Sequence, residues 1–177
     1  MTFTETKLQG VYIVDCDVFH DDRGLFERAW VREEFEARRL DTRIAQCNIV
    51  VNARRGTIRG LHFQVPPFGE AKTVRALRGA VFDVAVDLRH ESPTAGQWVG
   101  VDLSAANRRL LYVPAGLAHG YQTLTDDTEL VYFVSATYSP EHQRGVRWDD
   151  PAFGISWPDP PTTINERDRT FPDFVWP

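Results

Sequence analysis

The sequence is poor in cysteine and in the motifs that hold structural metals. Cys16 and Cys47 are the two cysteines among its 177 residues, and they do not form a CxxC pair. So few cysteines exclude a disulfide framework, and the missing pair removes the usual zinc signature. This usage is typical of a reducing compartment, so we expect a cytoplasmic protein.

Long apolar runs and a basic charge balance are missing as well. No apolar run approaches the ~18 residues that a membrane helix needs, and residues 1–10 lack the basic-then-apolar order of a signal peptide. The net charge of −5 differs from the positive field of nucleic-acid-binding proteins. We therefore expect neither a membrane nor a nucleic acid as partner.

The sequence also contains no GxGxxG, no P-loop and no GxSxG motif. The signatures of dinucleotide binding, nucleoside triphosphate hydrolysis and serine-hydrolase chemistry are therefore all absent.

The chain does contain an ordinary globular composition and many short strand patterns. Apolar residues make up 42% of it and charged residues 25%, as in a typical soluble protein, and its length suits a single domain spanning residues 1–177. Strands are predicted at 43–52, 57–65, 73–88 with a break at Gly79, 98–103, 109–113 and 130–138. Turn residues such as Pro66-Pro67 separate these strands, which favours an all-β sandwich or barrel.

Two segments do not follow the strand pattern. Residues 31–40 predict a helix, because Val31 and Phe35 fall near one stripe and acids precede bases along it. The segment from Pro151 onward is rich in proline and aromatic residues, and we expect it to wrap the barrel.

Two histidines occupy positions where chemistry is plausible. Strict alternation along 57–65 places His62 and Gln64 on the face opposite Leu61 and Phe63, although a histidine in a strand is more often structural than catalytic. His119 follows a strand end and a Pro/Gly turn, which predicts a loop position where functional groups gather. A hydrogen bond that fixes the turn is the alternative interpretation.

A metal site is the main competing interpretation. Metal-binding barrels of this size often offer two close histidines, a carboxylate and a later histidine. Here Gln64 stands where a second histidine is expected, and amide oxygen is a poor ligand for a transition metal. Glu70 and His119 remain possible ligands, but Lys72 nearby would oppose a cation.

Three further polar residues have ordinary interpretations when each is taken alone. Lys72 enters a predicted strand, and most lysines are solvated. Tyr132 lies with apolar neighbours, as a core tyrosine with a satisfied hydroxyl does. Asp168 lies in a charged run that is typical of a solvated turn.

Long motifs nevertheless follow one another through most of the chain. They are DRGLFE at 22–27, QCN at 46–48, GTIRGLHFQ at 56–64, KTVR at 72–75, GAVFDVAVDLR at 79–89, SPT at 92–94, LSA at 103–105, VPAGLAHG at 113–120, RGVRWDDP at 144–151 and GISWP at 154–158. In this order and spacing they resemble the dTDP-4-dehydrorhamnose 3,5-epimerases and their relatives in deoxysugar pathways, over roughly residues 10–173.

The resemblance implies a fold, a reaction and an assembly. The fold is an all-β, cupin-like jelly-roll barrel with one or two short helices. The reaction is epimerisation at carbon 3, carbon 5 or both of a dTDP-4-keto-6-deoxyhexose, with no metal and no organic cofactor. The assembly is a homodimer in which an N-terminal strand is exchanged, since exposed sheet edges need cover.

The resemblance also assigns catalytic roles. The ketone at carbon 4 acidifies the neighbouring hydrogens, so the reaction needs a base, an opposing acid and a cation near the oxyanion. It implies that His62 is the base, Asp168 its partner, Tyr132 the acid and Lys72 the cation near the keto oxygen. His119 is expected to assist the same oxygen or neighbouring hydroxyls.

Further residues match substrate-binding positions of the family. Arg23 and Arg59 are expected to clamp the diphosphate, because guanidinium groups match phosphate oxygens. The remaining predicted contacts with the nucleotide-sugar are Phe26, Glu27, Gln46, Asn48, Tyr138, Gln143 and Arg167, with Phe26 and Tyr138 stacking on the base.

Alternation along the strand conflicts with one of these assignments. Arg59 shares a face with Leu61 on a regular strand, not with His62. Both side chains can reach one ligand if Gly60 breaks the register, as glycine in a strand often does. Otherwise Arg59 has to curl around or come from the other subunit.

The chain departs from the family pattern at four positions. Ala71, Phe133, Gln143 and Arg167 stand where Gly, Lys, Glu and Lys are usual, which leaves open which sugar binds and whether one or both centres are inverted. Two other functions remain alternatives: a metal-dependent cupin oxygenase or isomerase, and an inactive nucleotide-sugar-binding protein. Loss of His62, Tyr132 or Asp168 would favour the latter, and all three are present.

Overall fold

A computed structural model describes residues 1–176, which form short β-strands and two short helices. The strands are β1 (Thr2–Glu5), β2 (Tyr12–Asp15), β3 (Val18–Asp21), β4 (Gly24–Glu27), β5 (Gln46–Asn52), β6 (Ile58–Gln64), β7 (Lys72–Arg78), β8 (Ala80–Asp87), β9 (Trp98–Ser104), β10 (Leu110–Val113), β11 (Leu117–Thr123), β12 (Thr128–Val134) and β13 (Gln143–Gly145). The helices are α1 (Arg32–Glu36) and α2 (Glu166–Arg169).

Two antiparallel sheets form the body of the fold. A six-stranded sheet has the order β1-β2-β10-β7-β12-β5, and a five-stranded sheet has the order β13-β6-β11-β8-β9. Their facing sides share one apolar core, in which Val74 and Leu111 of the first sheet lie with Val81 and Leu103 of the second. Burial of this shared face holds the sheets together. The predicted all-β jelly-roll architecture is confirmed.

The strands lie close to the predicted positions, and Gly79 divides the longest pattern as expected. Gly79 has a φ of +69°, and a Cβ there would lie 2.4 Å from Thr125 Oγ1. A larger residue would therefore strain both the backbone and the neighbouring turn. The chain consequently leaves the six-stranded sheet and enters the five-stranded sheet at this glycine.

The predicted helix at 31–40 is too long, because α1 ends at Glu36. Arg39 adopts a φ of +58°, and the Leu40 amide donates back to the Phe35 carbonyl oxygen. This left-handed turn ends the helix. Phe35 is the fully buried residue of α1. Phe35 packs edge-on against Phe3 and Tyr112.

The predicted loop around His119 is wrong, because His119 lies in the middle of β11. All seven residues of this strand are buried. Leu117 and Tyr121 face the core between the sheets, whereas Ala118 faces a second apolar cluster on the outside. Burial of both faces removes the alternation by which a strand is recognised in a sequence.

The C-terminal segment produces that second cluster by crossing the outer face of the five-stranded sheet. Ile155, Trp157 and Phe174 pack against Leu61 and Ala118 there. The segment also carries α2, whose N-cap Asn165 accepts a hydrogen bond from the Asp168 amide at 2.7 Å.

The N-terminal strand β1 pairs with β2 of the same chain, with Phe3 opposite Val14. The hairpin of β3 and β4 forms a separate two-stranded sheet. Within residues 1–176, none of the helices has the length and apolar character required to cross a membrane.

Candidate active site

A cavity of about 180 Å³ lies between the two sheets and is lined from both sides. The five-stranded sheet contributes Arg59, His62, His119, Gly120 and Tyr121, the six-stranded sheet contributes Val50, Lys72 and Tyr132, and the α2 region contributes Asn165, Arg167 and Asp168. All four predicted catalytic residues therefore line one space, together with three of the predicted binding residues.

A bulge at Gly60 brings Arg59 and His62 to the same face of β6. His119 pairs with His62, but Tyr121, two residues later, pairs with Arg59, three residues earlier. Gly60 has a φ of +106°, and a Cβ there would lie 2.7 Å from the His119 carbonyl oxygen. Only glycine fits this close approach. The prediction that Gly60 breaks the register is confirmed.

His62 forms a buried pair with Asp168. Its Nε2 lies 2.7 Å from Asp168 Oδ1, and Asp168 Oδ2 accepts the Gly60 amide at 3.0 Å. Burial alone would raise the pKa of Asp168, but the hydrogen bonds from His62 and Gly60 hold it below its ordinary value. An ionised carboxylate only accepts, so Nε2 carries the proton and Nδ1 keeps its lone pair.

The surroundings of His62 keep its ring neutral. Burial lowers its pKa below the ordinary 6.5, and the charges of Lys72 and Arg167 act in the same direction while Asp168 opposes them. The imidazole can therefore accept a proton at neutral pH.

His119 belongs to a second imidazole–carboxylate pair, which was not predicted from the sequence. Its Nε2 lies 2.8 Å from Oδ1 of Asp83, a fully buried residue of β8. The other oxygen, Oδ2, has no hydrogen-bond partner among residues 1–176. A buried aspartate inside the apolar alternation of residues 81–86 was the available signal, because such a residue needs a partner.

Lys72 is buried at the floor of the cavity. Its ammonium group lies 2.9 Å from Glu70 Oε1 and donates to the His62 carbonyl oxygen at 3.3 Å. The alternative in which Glu70 is a metal ligand fits this geometry poorly, because the carboxylate is engaged by Lys72. Among the described residues, no group of three or more His, Cys, Asp or Glu side chains is arranged to hold a metal ion.

Tyr132 lies on the sheet opposite His62. It belongs to β12, and burial raises the pKa of its phenol, with Arg59 opposing, so the group is protonated at neutral pH. Its partner in β5 is Asn48, while Gln46 lies opposite Val134, two residues along. Residues directly opposite each other share a face, so both predicted binding residues lie on the same face of the sheet as Tyr132, although neither is among the residues that line the cavity.

A chain of polar contacts joins the rim of the cavity to His62. Tyr138 donates its hydroxyl to Gln143 Oε1 at 2.8 Å, and Arg167 Nη1 donates to the same oxygen at 2.8 Å. Arg167 Nη2 lies 3.0 Å from His62 Nε2. The backbone amide of Tyr138 also donates to Gln46 Oε1, at 2.7 Å.

Three predicted binding residues lie away from the cavity of their own chain. Arg23 is at the tip of the β3–β4 hairpin with its side chain 90% exposed, and Phe26 on β4 is 59% exposed. Glu27 instead forms ion pairs with Arg75 and Arg108. Their roles in binding remain predictions.

The arrangement offers the groups that proton transfer beside a ketone requires. A neutral imidazole faces a protonated phenol across a small space, and an ammonium group lies between the two sheets. Arg59, whose Nε donates to Asn52 at 2.8 Å, and Arg167 add positive charge at the mouth. Such a site suits an anionic substrate that carries an acidic C–H group.

Comparison with known proteins places this architecture in one family. The family profile described as dTDP-4-dehydrorhamnose 3,5-epimerase matches residues 5–175. The chain is 46% identical to the dTDP-4-dehydrorhamnose 3,5-epimerase of Sinorhizobium fredii, over 98% of this chain and 90% of that one. It is 40% identical to a dTDP-4-dehydrorhamnose 3-epimerase of Streptomyces niveus, over 92% of this chain and 78% of that one.

A solved structure agrees with these sequence relationships. The dTDP-4-dehydrorhamnose 3,5-epimerase of Bacillus anthracis, solved with TDP and PPi bound, superposes with a TM-score of 0.94 at 39% identity and covers 98% of this chain and 99% of that one. The chain therefore belongs to the dTDP-4-dehydrorhamnose 3,5-epimerase family.

Proposed function

We propose that this chain is an epimerase that inverts carbon 3, carbon 5 or both of a dTDP-4-keto-6-deoxyhexose. The observation that carries the proposal is the placement of His62 and Tyr132 on opposite sheets of one cavity. Inversion needs a base on one face of the sugar and an acid on the other, and family membership supplies the substrate class.

The reaction follows from the protonation states of these groups. Nδ1 of His62 takes the proton from the carbon beside the ketone. The C–H electron pair forms a double bond to carbon 4, and the carbonyl π electrons move to the keto oxygen, which gives an enolate. The charge on that oxygen is stabilised by the ammonium group of Lys72, while Nδ1 of His119 accepts from a neighbouring substrate hydroxyl. Return of the electron pair to carbon takes a proton from Tyr132 on the opposite face.

The cycle closes when the His62 imidazolium loses its proton and the Tyr132 phenolate regains one, by exchange with solvent. Asp168 stabilises the imidazolium that forms after proton abstraction, because its carboxylate already accepts the Nε2 proton at 2.7 Å. Arg59 and Arg167 are the proposed ligands of the diphosphate, since both combine a guanidinium group with a position at the mouth of the cavity.

We further propose a homodimer in which the β3–β4 hairpin completes the cavity of the partner. Ile49 and Val51 are 63% and 64% exposed on the outer side of the edge strand β5, and Phe19 and Phe26 on the hairpin are 53% and 59% exposed. Such apolar surface is typical of an interface. A second copy offers the matching surface and places Arg23 beside a cavity that it does not reach in its own chain.

Coexpression of His62→Ala and Arg23→Ala chains tests the assembly. If the hairpin acts across the interface, mixed dimers contain one site with both intact residues and recover activity that neither variant has alone. No recovery, or a monomer by analytical ultracentrifugation, would contradict the proposal. A cytoplasmic location is also proposed, since Cys16 and Cys47 are both free.

Proton NMR of dTDP-4-keto-6-deoxyglucose in deuterated water tests the activity itself. We expect deuterium to enter carbon 3, carbon 5 or both, and an added 4-keto reductase to trap the inverted product. The pattern of exchange shows which centres the enzyme inverts. Exchange at neither carbon would refute the function, and one tightly bound iron or manganese per chain by elemental analysis would favour the metal-dependent alternative.

A further inference from the structure

Arg167 lies in an unfavourable position for a residue that only binds substrate. Its Nη2 is 3.0 Å from His62 Nε2, and its Nε is 3.4 Å from Asp168 Oδ1. Arginine has donors and no acceptor, and Nε2 already carries the proton that Asp168 accepts. The contact between Arg167 and His62 therefore brings two donors together and is not a hydrogen bond.

Arg167 also weakens the stabilisation that Asp168 can give to a protonated His62. The carboxylate is fully buried and serves His62 at 2.7 Å through Oδ1, the oxygen that also faces the Arg167 guanidinium. A guanidinium at that oxygen offsets the negative charge that an imidazolium would need. The base is thus weakest while Arg167 stays beside it.

Arg167 has the freedom to move. Its side chain is 50% exposed, and its shortest contact is a hydrogen bond of 2.8 Å to the neutral Gln143, which Tyr138 also contacts. A diphosphate group is a stronger partner for a guanidinium than an amide oxygen. Binding of an anion at the mouth therefore competes with that hydrogen bond and with the longer ion pair of 3.4 Å to Asp168.

We propose that Arg167 is a movable counter-charge that restrains His62 in the ligand-free chain and leaves it when an anionic part of the substrate binds. The inference rests on the proposed function, and it makes Arg167 a positioning residue that couples diphosphate binding to activation of the base. The sugar is deprotonated only when the nucleotide end is in place.

Other charged groups around the cavity do not combine solvent exposure with a contact to His62 Nε2. Besides His62 and Arg167, the titratable or charged residues that line it are Arg59 on β6, Lys72 on β7, His119 and Tyr121 on β11, Tyr132 on β12 and Asp168 on α2. Lys72 also lowers the pKa of His62, but it is buried and held by Glu70 at 2.9 Å. Arg59 lies at the mouth as well, but its Nε donates to Asn52. Arg167 is half exposed and lies 3.0 Å from His62 Nε2, so a ligand can reach the charge that opposes the imidazolium.

The first experiment measures the pKa of His62 by NMR of histidine-labelled, ligand-free protein, with its signal assigned from His62→Gln. We expect Arg167→Met to raise that pKa by about half a unit or more. Arg169→Met is the matched control, because it removes the same charge from α2 and, among residues 1–176, its side chain bonds only to the Ile164 carbonyl oxygen. An unchanged pKa in Arg167→Met, or an equal rise in Arg169→Met, would overturn the inference.

The second experiment is a crystal structure of the wild-type protein with dTDP. We expect the Arg167 guanidinium to contact the diphosphate and to lie more than about 4 Å from His62 Nε2, beyond hydrogen-bond range. A guanidinium that keeps its place on His62 would reject the movement. If the wild-type enzyme exchanges no substrate hydrogens in deuterated water, the proposed function fails, whatever these two measurements show.

Discussion

The two imidazole–carboxylate pairs of the cavity are built differently. Asp168 reaches His62 from α2 and uses both oxygens, whereas Asp83 reaches His119 from the neighbouring strand and leaves one oxygen unpartnered among residues 1–176. The His62 side chain is 22% exposed and that of His119 is 8% exposed. We infer that the first pair exchanges a proton with a ligand and that the second holds a ring in one orientation.

This difference in exposure and hydrogen bonding shows that a histidine–aspartate contact does not by itself identify a base. A carboxylate with an unpartnered oxygen inside an apolar core is costly, so Asp83 is retained for what it does to His119. An imidazole held this way keeps one ring orientation, with Nδ1 left to accept a hydrogen bond from a substrate hydroxyl. Substitutions in each pair can test this division of roles.

Replacing the two histidines should separate the roles most strongly. We expect His62→Ala to lower deuterium exchange by about 10³-fold or more, because no other group replaces the base, while dTDP binding persists. His119→Ala should cost less, about tenfold, as does loss of one ordinary hydrogen bond to the substrate. Exchange by NMR and binding by calorimetry measure both effects, and retained exchange in His62→Ala would remove it from the mechanism.

Neutralising Asp168 should also be severe. Asp168→Asn keeps the shape but removes the charge that stabilises the imidazolium, so we expect exchange to fall by about 10²-fold. Asn also offers an N–H toward Nε2, which favours the unproductive tautomer. An activity close to wild type would show that Asp168 only supports the Gly60 bulge.

Removing the phenol should separate inversion from exchange. In Tyr132→Phe we expect product formation to fall by roughly 10-fold to 10²-fold, whereas some deuterium still enters the substrate, because proton abstraction does not need the opposing acid. Comparison of exchange with trapped product measures the two steps. Unchanged inversion would assign the proton to another donor.

Neutralising Asp83 should have a smaller effect than neutralising Asp168. We expect Asp83→Asn to lower turnover by about tenfold, because His119 keeps a hydrogen-bond partner but loses the charge behind it. The thermal unfolding midpoint should be unchanged or higher, since a buried charge with an unpartnered oxygen is removed. A loss as large as that of Asp168→Asn would make the two pairs equivalent.

The smallest effect concerns pH. A base must be neutral, and the pKa of His62 is lowered from the ordinary 6.5. We therefore expect kcat/KM to stay constant as the pH falls to about 6.5 and to decline only at lower pH, where the His62 ring becomes protonated. Asp168→Asn should shift this decline to still lower pH, because the imidazolium loses its stabilising charge. Asp83→Asn should leave it in place, and a shift there would link the second pair to the base.

Much of the fold was predictable because strand patterns and turn residues are local. The break at Gly79 and the bulge at Gly60 were both recognisable, since glycine marks positions where a side chain would clash. The strand β11 was not recognisable in the sequence. The C-terminal segment covers Ala118 on the outer face of this strand, so the strand lacks the usual alternation of apolar and polar residues. The helix at 31–40 was predicted too long, because its end depends on the contact of Phe35 with Tyr112.

The sequence by itself determined the all-β class, the residues His62, Lys72 and Tyr132, and, through its ordered motifs, the family. The resemblance also implied the pairing of Asp168 with His62, but only the tertiary structure showed the geometry of that pair and the pairing of Asp83 with His119. His62 and Asp168 are 106 residues apart, and His119 and Asp83 are 36 apart. Their pairing depends on sheet register and on the path of the C-terminal segment, which arise from burial of distant apolar faces and have no local signal.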